Sequence, residues 1–156
     1  MRTIYLHIGM PKTGTSAIQY FLSANQALLE EKGLIYRQMP GHYPGHTDRR
    51  NAHFLTGSIR DQNGAPDLPA RLAREDEAFD IISSWFEDGD SIILTEEGIW
   101  NYCSKYSFRV IKKLSKFAGQ QNAALKIVAY LRRQDDWILS MYRQLVKAGS
   151  YEEKWT

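Results

Sequence analysis

The chain has 156 residues, 43% of them hydrophobic, and a formal net charge of only +2. Those values suit one domain with a real core and exclude the strongly basic surface that holds nucleic acid. A single cysteine, Cys103, excludes an internal disulfide and four-cysteine zinc sites and reads as a small hydrophobe.

Thr3–Ile8 is a short apolar run that ends at Gly9 and predicts a buried strand. It starts too close to Met1 to leave room for a secretory signal, and no apolar run reaches the ~20 residues of a membrane span. A reducing, cytoplasmic setting is therefore the expectation. A helical pattern follows from about Thr15 to Lys32, with Ile18, Phe21, Leu22, Leu28 and Leu29 near helical spacing and Gly33 as the stop. Leu34–Tyr36 predicts a second, short strand. Residues 38–69 hold four prolines, Pro40, Pro44, Pro66 and Pro69, with glycines between them and three histidines, His42, His46 and His53. This predicts a long irregular segment with one helical turn near Ala52–Ile59, of the kind that serves as a lid or stays unstructured.

Ala70–Phe86 predicts a helix, and Asp88-Gly89-Asp90 a turn. Ser91–Thr95 predicts the third strand, running directly into Glu96 and Glu97. A helix over about Lys105–Phe117 leads to a fourth strand, Lys126–Leu131, which ends at Arg132 and Arg133. Asp135 or Asp136 starts a last helix that reaches about Ala148 and stops at Gly149. Its Trp137, Ile138, Met141, Tyr142 and Leu145 are expected in the core. Strands alternating with helices predict one three-layer α/β/α domain over residues 1–156, with a central parallel sheet.

The turn after the first strand, Gly9-Met10-Pro11-Lys12-Thr13-Gly14-Thr15-Ser16, carries the first chemical signal. A glycine-bounded turn opening a helix presents unpaired N–H groups and the positive end of the helix dipole to an anion. Gly9 and Gly14 match G-x-x-x-x-G, the frame of a P-loop, nucleotide-kinase-like domain. An ATP or GTP site would place lysine directly after the second glycine. Here Thr15 stands there, and the lysine, Lys12, lies inside the loop. The aspartate that would hold magnesium at a strand end is replaced by Glu96-Glu97 in one strand and by Arg132-Arg133 in the other.

Pro11-Lys12-Thr13-Gly14-Thr15-Ser16 resembles the 5′-phosphosulfate loop of sulfotransferases that use 3′-phosphoadenylyl sulfate (PAPS). In that family the pattern is proline, lysine, any residue, glycine, threonine, then threonine or serine. The flanking Leu6-His7-Ile8-Gly9 and Ala17-Ile18-Gln19 are similar to bacterial members. The family's second signature is an arginine at a strand end with a serine eight residues on, which grip the 3′-phosphate. Arg132 and Ser140 have that spacing, and a guanidinium fits phosphate oxygens with two parallel bonds. Arg133 competes for this role, and an ion pair with Asp135 or Asp136 competes for Arg132.

The resemblance implies PAPS as co-substrate, with Pro11, Lys12, Thr13, Gly14, Thr15, Ser16, Arg132 and Ser140 as its binding residues and no metal. Lys12 would neutralise charge on the leaving oxygen. Glu97, in Leu94-Thr95-Glu96-Glu97, is similar in position to the base of bacterial members and is favoured over Glu96; His53 is the alternative base. His42, His46 and His53 lack metal-ligand spacing and a carboxylate partner, and His7 reads as structural. The acceptor would be a small molecule or carbohydrate, taken up beside the 38–69 segment. Members of the family continue further after the arginine–serine element, so a fragment or a shortened member is expected, with apolar surface prone to self-association. An Mg-ATP-dependent small-molecule kinase and a non-catalytic nucleotide-binding domain are the other two readings.

Overall fold

The computed structural model describes residues 1–40, 49–100, 109–147 and 149. Cys103, His42 and His46 lie outside the described residues. In chain order the elements are β1 (Thr3–His7), α1 (Thr15–Ala24), α2 (Gln26–Glu30), β2 (Leu34–Ile35), a 3-10 turn (His53–Leu55), α3 (Leu68–Trp85), β3 (Ser91–Thr95), α4 (Arg109–Gln120), β4 (Ala124–Val128) and α5 (Gln134–Lys147). The four strands form one parallel sheet in the order β2-β3-β1-β4.

Alternation along the strands divides the side chains between two layers. Ile4, Leu6, Ile92 and Leu94 are fully buried on one face, in a cluster with Phe79 and Ile82 of α3 and Leu114 and Phe117 of α4. The rings of Phe79 and Phe117 stack at 4.6 Å. Tyr5, His7 and Ile93 project to the other face, beside Ile18 and Leu22 of α1. The expected parallel sheet between helical layers is therefore present.

Register brings the strand ends together. His7 lies opposite Thr95 on one side and Val128 on the other. The segments following β1, β3 and β4 thus leave the sheet side by side. The chain turns to opposite faces after β1 and β3, which opens a crevice between them, the place where parallel α/β sheets bind ligands.

Several boundaries differ from expectation, each for a local reason. The fourth strand ends at Val128 rather than Leu131, because its partner β1 ends at His7 where Gly9 turns the chain at φ 39°. The first helix breaks at Asn25, whose side-chain amide donates to the Phe21 carbonyl at 2.7 Å and competes with the helical pattern. The third helix starts earlier, since Asp67 accepts from Ala70 N at 2.9 Å and Pro69 is tolerated in a first turn.

The irregular segment is also not simply a lid. Asn51, Ala52, His53, Phe54 and Leu55 are all at most 4% exposed. β2 pairs with β3 only as far as Ile92. Beyond it the Asn51 side chain completes the ladder, donating to Ile93 O at 2.8 Å and accepting from Thr95 N at 2.9 Å. Tyr36 donates to the Arg49 carbonyl, and Gln19 donates to the Thr95 hydroxyl at 3.2 Å. Arg49 and Asn51, near the middle of the segment, therefore tie it to the sheet.

The last helix departs most from expectation. None of its residues is buried, and Ile138 and Tyr142 are 61% and 44% exposed. It follows the edge strand β4, so among the described residues no further layer covers its outer side. Asn51→Ala should leave two backbone groups of β3 without partners and cost at least about 2 kcal/mol in urea unfolding. Asp67→Ala removes one cap and should cost about 1 kcal/mol.

Candidate active site

The loop after β1 owes its shape to three left-handed residues. Gly9 and Gly14 have φ of 39° and 91°, and Lys12 adopts φ 68°. A lysine in that region is strained, which marks the position as one held by its surroundings. The holding contacts come from the far end of the chain. Trp137 Nε1 donates to the Pro11 carbonyl at 2.9 Å, and Arg132 Nη1 donates to the Lys12 carbonyl at 3.1 Å. Thr13 Oγ1 donates to the Met10 carbonyl at 2.6 Å. Three successive carbonyls of the loop are thereby occupied, which suits a loop whose N–H groups face an anion.

Gly14 is the N-cap of α1, and its carbonyl accepts from Ala17 and Ile18. The amides of Thr15 and Ser16 have no acceptor within the helix, as helix geometry requires. Gly9 is also required for space: a Cβ there would sit 2.8 Å from Thr15 Oγ1.

A cavity of about 850 Å³ lies over this loop. Pro11, Lys12, Gly14, Thr15 and Ser16 line it from the loop, Glu97 and Gly98 from the end of β3, Arg132 and Ser140 from the region after β4, and Arg50 from the irregular segment. Ala17, Met141 and Gln144 complete the wall. The two sequence signatures, 120 residues apart, therefore share one cavity and one hydrogen bond.

The structure separates the competing residues. Arg133 makes the ion pairs, with Asp135 at 2.7 Å and Asp136 at 3.8 Å, and holds the Asp135 carboxyl below its usual range. Arg132 is left to the cavity. Ser140 lies on the cavity side of α5. Trp137 is a latch on the loop rather than the core residue expected. Thr13 does not line the cavity; its hydroxyl is used within the loop.

Glu96 and Glu97 are likewise divided. Glu97 lines the cavity, whereas Glu96 is 1% exposed. Glu96 Oε1 accepts from Gly98 N at 2.8 Å and from Arg50 Nη1 at 3.2 Å. Burial pushes its carboxyl above the usual range, against the opposing pull of Arg50 and the Gly98 amide. His53 is 2% exposed in its 3-10 turn and is not among the lining residues. The cavity thus brings Lys12, Glu97, Arg132 and Ser140 together and leaves His53 aside.

Arg50 lines the cavity although no motif marks it in the sequence. The Arg49-Arg50 pair before Asn51 was the available signal, but no spacing rule joins it to Glu96. Among the described residues, Lys12 and Arg132 set two cations in the wall against the single acidic group of Glu97, while Arg50 lines it with its charge paired to the buried Glu96; together with the first amides of α1 the wall favours anionic ligands. Among the described residues no group of three or more His, Cys, Asp or Glu side chains is arranged to hold a metal.

His7 lies just under the loop, 4% exposed, with neither ring nitrogen hydrogen-bonded to a described residue. Burial lowers its pKa below 6.5, partly opposed by the charge of Glu97. The ring of Tyr130 meets it edge-on at 5.5 Å. A comparison with protein-family models finds no match to this chain. A comparison with curated proteins finds none either.

Two outcomes follow. Lys12→Gly should relieve the left-handed strain and raise stability by about 1 kcal/mol, while removing the cation that an anion would meet. As the pH falls below 6.5, the unfolded chain binds a proton at His7 that the folded chain resists, so stability should drop. His7→Gln, measured by thermal unfolding across that range, should show a shallower decline than wild type.

Proposed function

We propose that the chain is a PAPS-dependent sulfotransferase, moving a sulfuryl group to a hydroxyl or amine. The observation that carries this reading is that the loop and the Arg132/Ser140 pair line one cavity and touch through Arg132 and Lys12. A donor with phosphate at both its 5′ and 3′ positions needs two anion grips within one nucleotide's length. A cavity of about 850 Å³ falls within the size range of small-molecule sites.

In this reading the amides of Thr15 and Ser16 and the hydroxyl of Ser16 bind the 5′ end, at the start of α1. Arg132 and Ser140 bind the 3′-phosphate. The acceptor's oxygen or nitrogen bonds to sulfur in line as the sulfur–bridge oxygen bond breaks, releasing adenosine 3′,5′-bisphosphate. Lys12 stabilises the negative charge that develops on that oxygen, and Glu97 takes the acceptor's proton. Positioning and charge stabilisation dominate, as in phosphoryl transfer. The acceptor, a small molecule or carbohydrate, enters from the side of Arg50 and Glu97.

Calorimetric titration with adenosine 3′,5′-bisphosphate, in the absence of metal, tests the reading. Wild type should bind; Lys12→Ala and Arg132→Ala should each weaken binding by about 10-fold or more, as loss of a charge-assisted contact requires. Binding of Mg-ATP without binding of the bisphosphate would contradict it and favour a kinase.

A further inference from the structure

The turn after β3 is closed by a side chain rather than by backbone alone. Glu96 N still donates to the His7 carbonyl at 3.0 Å, as part of the sheet. Its side chain then folds back so that Oε1 receives Gly98 N. Glu97 is the residue enclosed by that ring, and it is the one that lines the cavity. Gly98 is needed because a Cβ there would stand 2.7 Å from the same oxygen.

The oxygen that closes the turn is shared with Arg50. Arg50 sits between two anchored neighbours, since the Arg49 carbonyl accepts from Tyr36 and Asn51 is bonded to β3. A buried carboxylate is a costly way to stabilise a fold. Here it buries one charge in order to fix the peptide that presents another. Thr56, on the same segment, lies against Gly98 and Glu96.

We infer that Glu96 and Arg50 are positioning residues for Glu97, joining the acceptor-side segment to the turn that presents the proton acceptor. The inference rests on the assignment of Glu97 made above. Hydrolysis of PAPS supplies a readout that needs no identified acceptor: water's oxygen bonds to sulfur, the sulfur–bridge oxygen bond breaks, and water's proton passes to Glu97. The products are sulfate and adenosine 3′,5′-bisphosphate.

Two measurements on the full chain test the inference. Hydrogen exchange at the Gly98 amide should be about 10-fold faster in Glu96→Ala and Arg50→Gln than in wild type, and near wild type in Glu96→Gln, which keeps an acceptor oxygen. The kcat for PAPS hydrolysis should fall by about 10-fold or more in Glu96→Ala and Arg50→Gln, with KM for PAPS within about 2-fold of wild type. If Glu96→Ala does not fold, Arg50→Gln decides alone. Unchanged Gly98 exchange in Arg50→Gln would overturn the inference, as would a rise in KM matching the fall in kcat. Neither hydrolysis nor adenosine 3′,5′-bisphosphate binding by wild type would instead sink the proposed function, leaving the exchange result to decide the positioning claim.

Discussion

Two neighbouring carbonyls in the loop after β1, those of Pro11 and Lys12, accept from Trp137 and Arg132, side chains that lie more than a hundred residues downstream. Much of the site depends on that pair of bonds. They hold Lys12 in a backbone conformation that lysine rarely adopts. They occupy carbonyl oxygens just before α1, whose first amides have no acceptor within the helix. They also bring the beginning of α5, and with it Ser140, to the rim of the cavity. The sheet makes the contact possible because β1 and β4 are adjacent and end in register at His7 and Val128.

The opposite wall follows a similar logic with different chemistry. β2 is only two residues long, so the outer edge of β3 beyond Ile92 has to be satisfied some other way. Asn51 does this with its side-chain amide. Seating Asn51 places Arg50 over Glu96, and Glu96 closes the turn around Glu97. A short strand is thus compensated by an irregular segment, and the compensation delivers the Arg50–Glu96 pair to the turn beside the cavity.

Much of the sheet was legible because its strands are apolar runs bounded by turn residues. Ser91–Thr95 lies where expected, between Asp88-Gly89-Asp90 and the two glutamates. β4 was displaced because the apolar run continues to Leu131 while its partner strand does not; apolarity marks what can pair, not where the partner stops. The loop and the Arg132/Ser140 pair were legible through local spacing. Arg50 was not, since its position depends on an amide bridging 42 residues to Ile93. The apolar stripe of α5 was misjudged for the opposite reason. Of its five expected core residues Trp137, Met141 and Leu145 are half-buried, yet Ile138 and Tyr142 are exposed, because helical periodicity does not say whether another layer is there to meet it.

The proposed function requires one cavity to grip an anionic ligand at two separate points. Amide shift mapping during titration of the ¹⁵N-labelled chain with adenosine 3′,5′-bisphosphate tests it most directly. Two groups of perturbed amides are expected, one over Lys12–Ser16 and one over Arg132–Ser140, saturating together. Removing the 3′-phosphate, by titrating with adenosine 5′-monophosphate, should silence the second group alone. Perturbation of neither group, or of one group regardless of the 3′-phosphate, would contradict it.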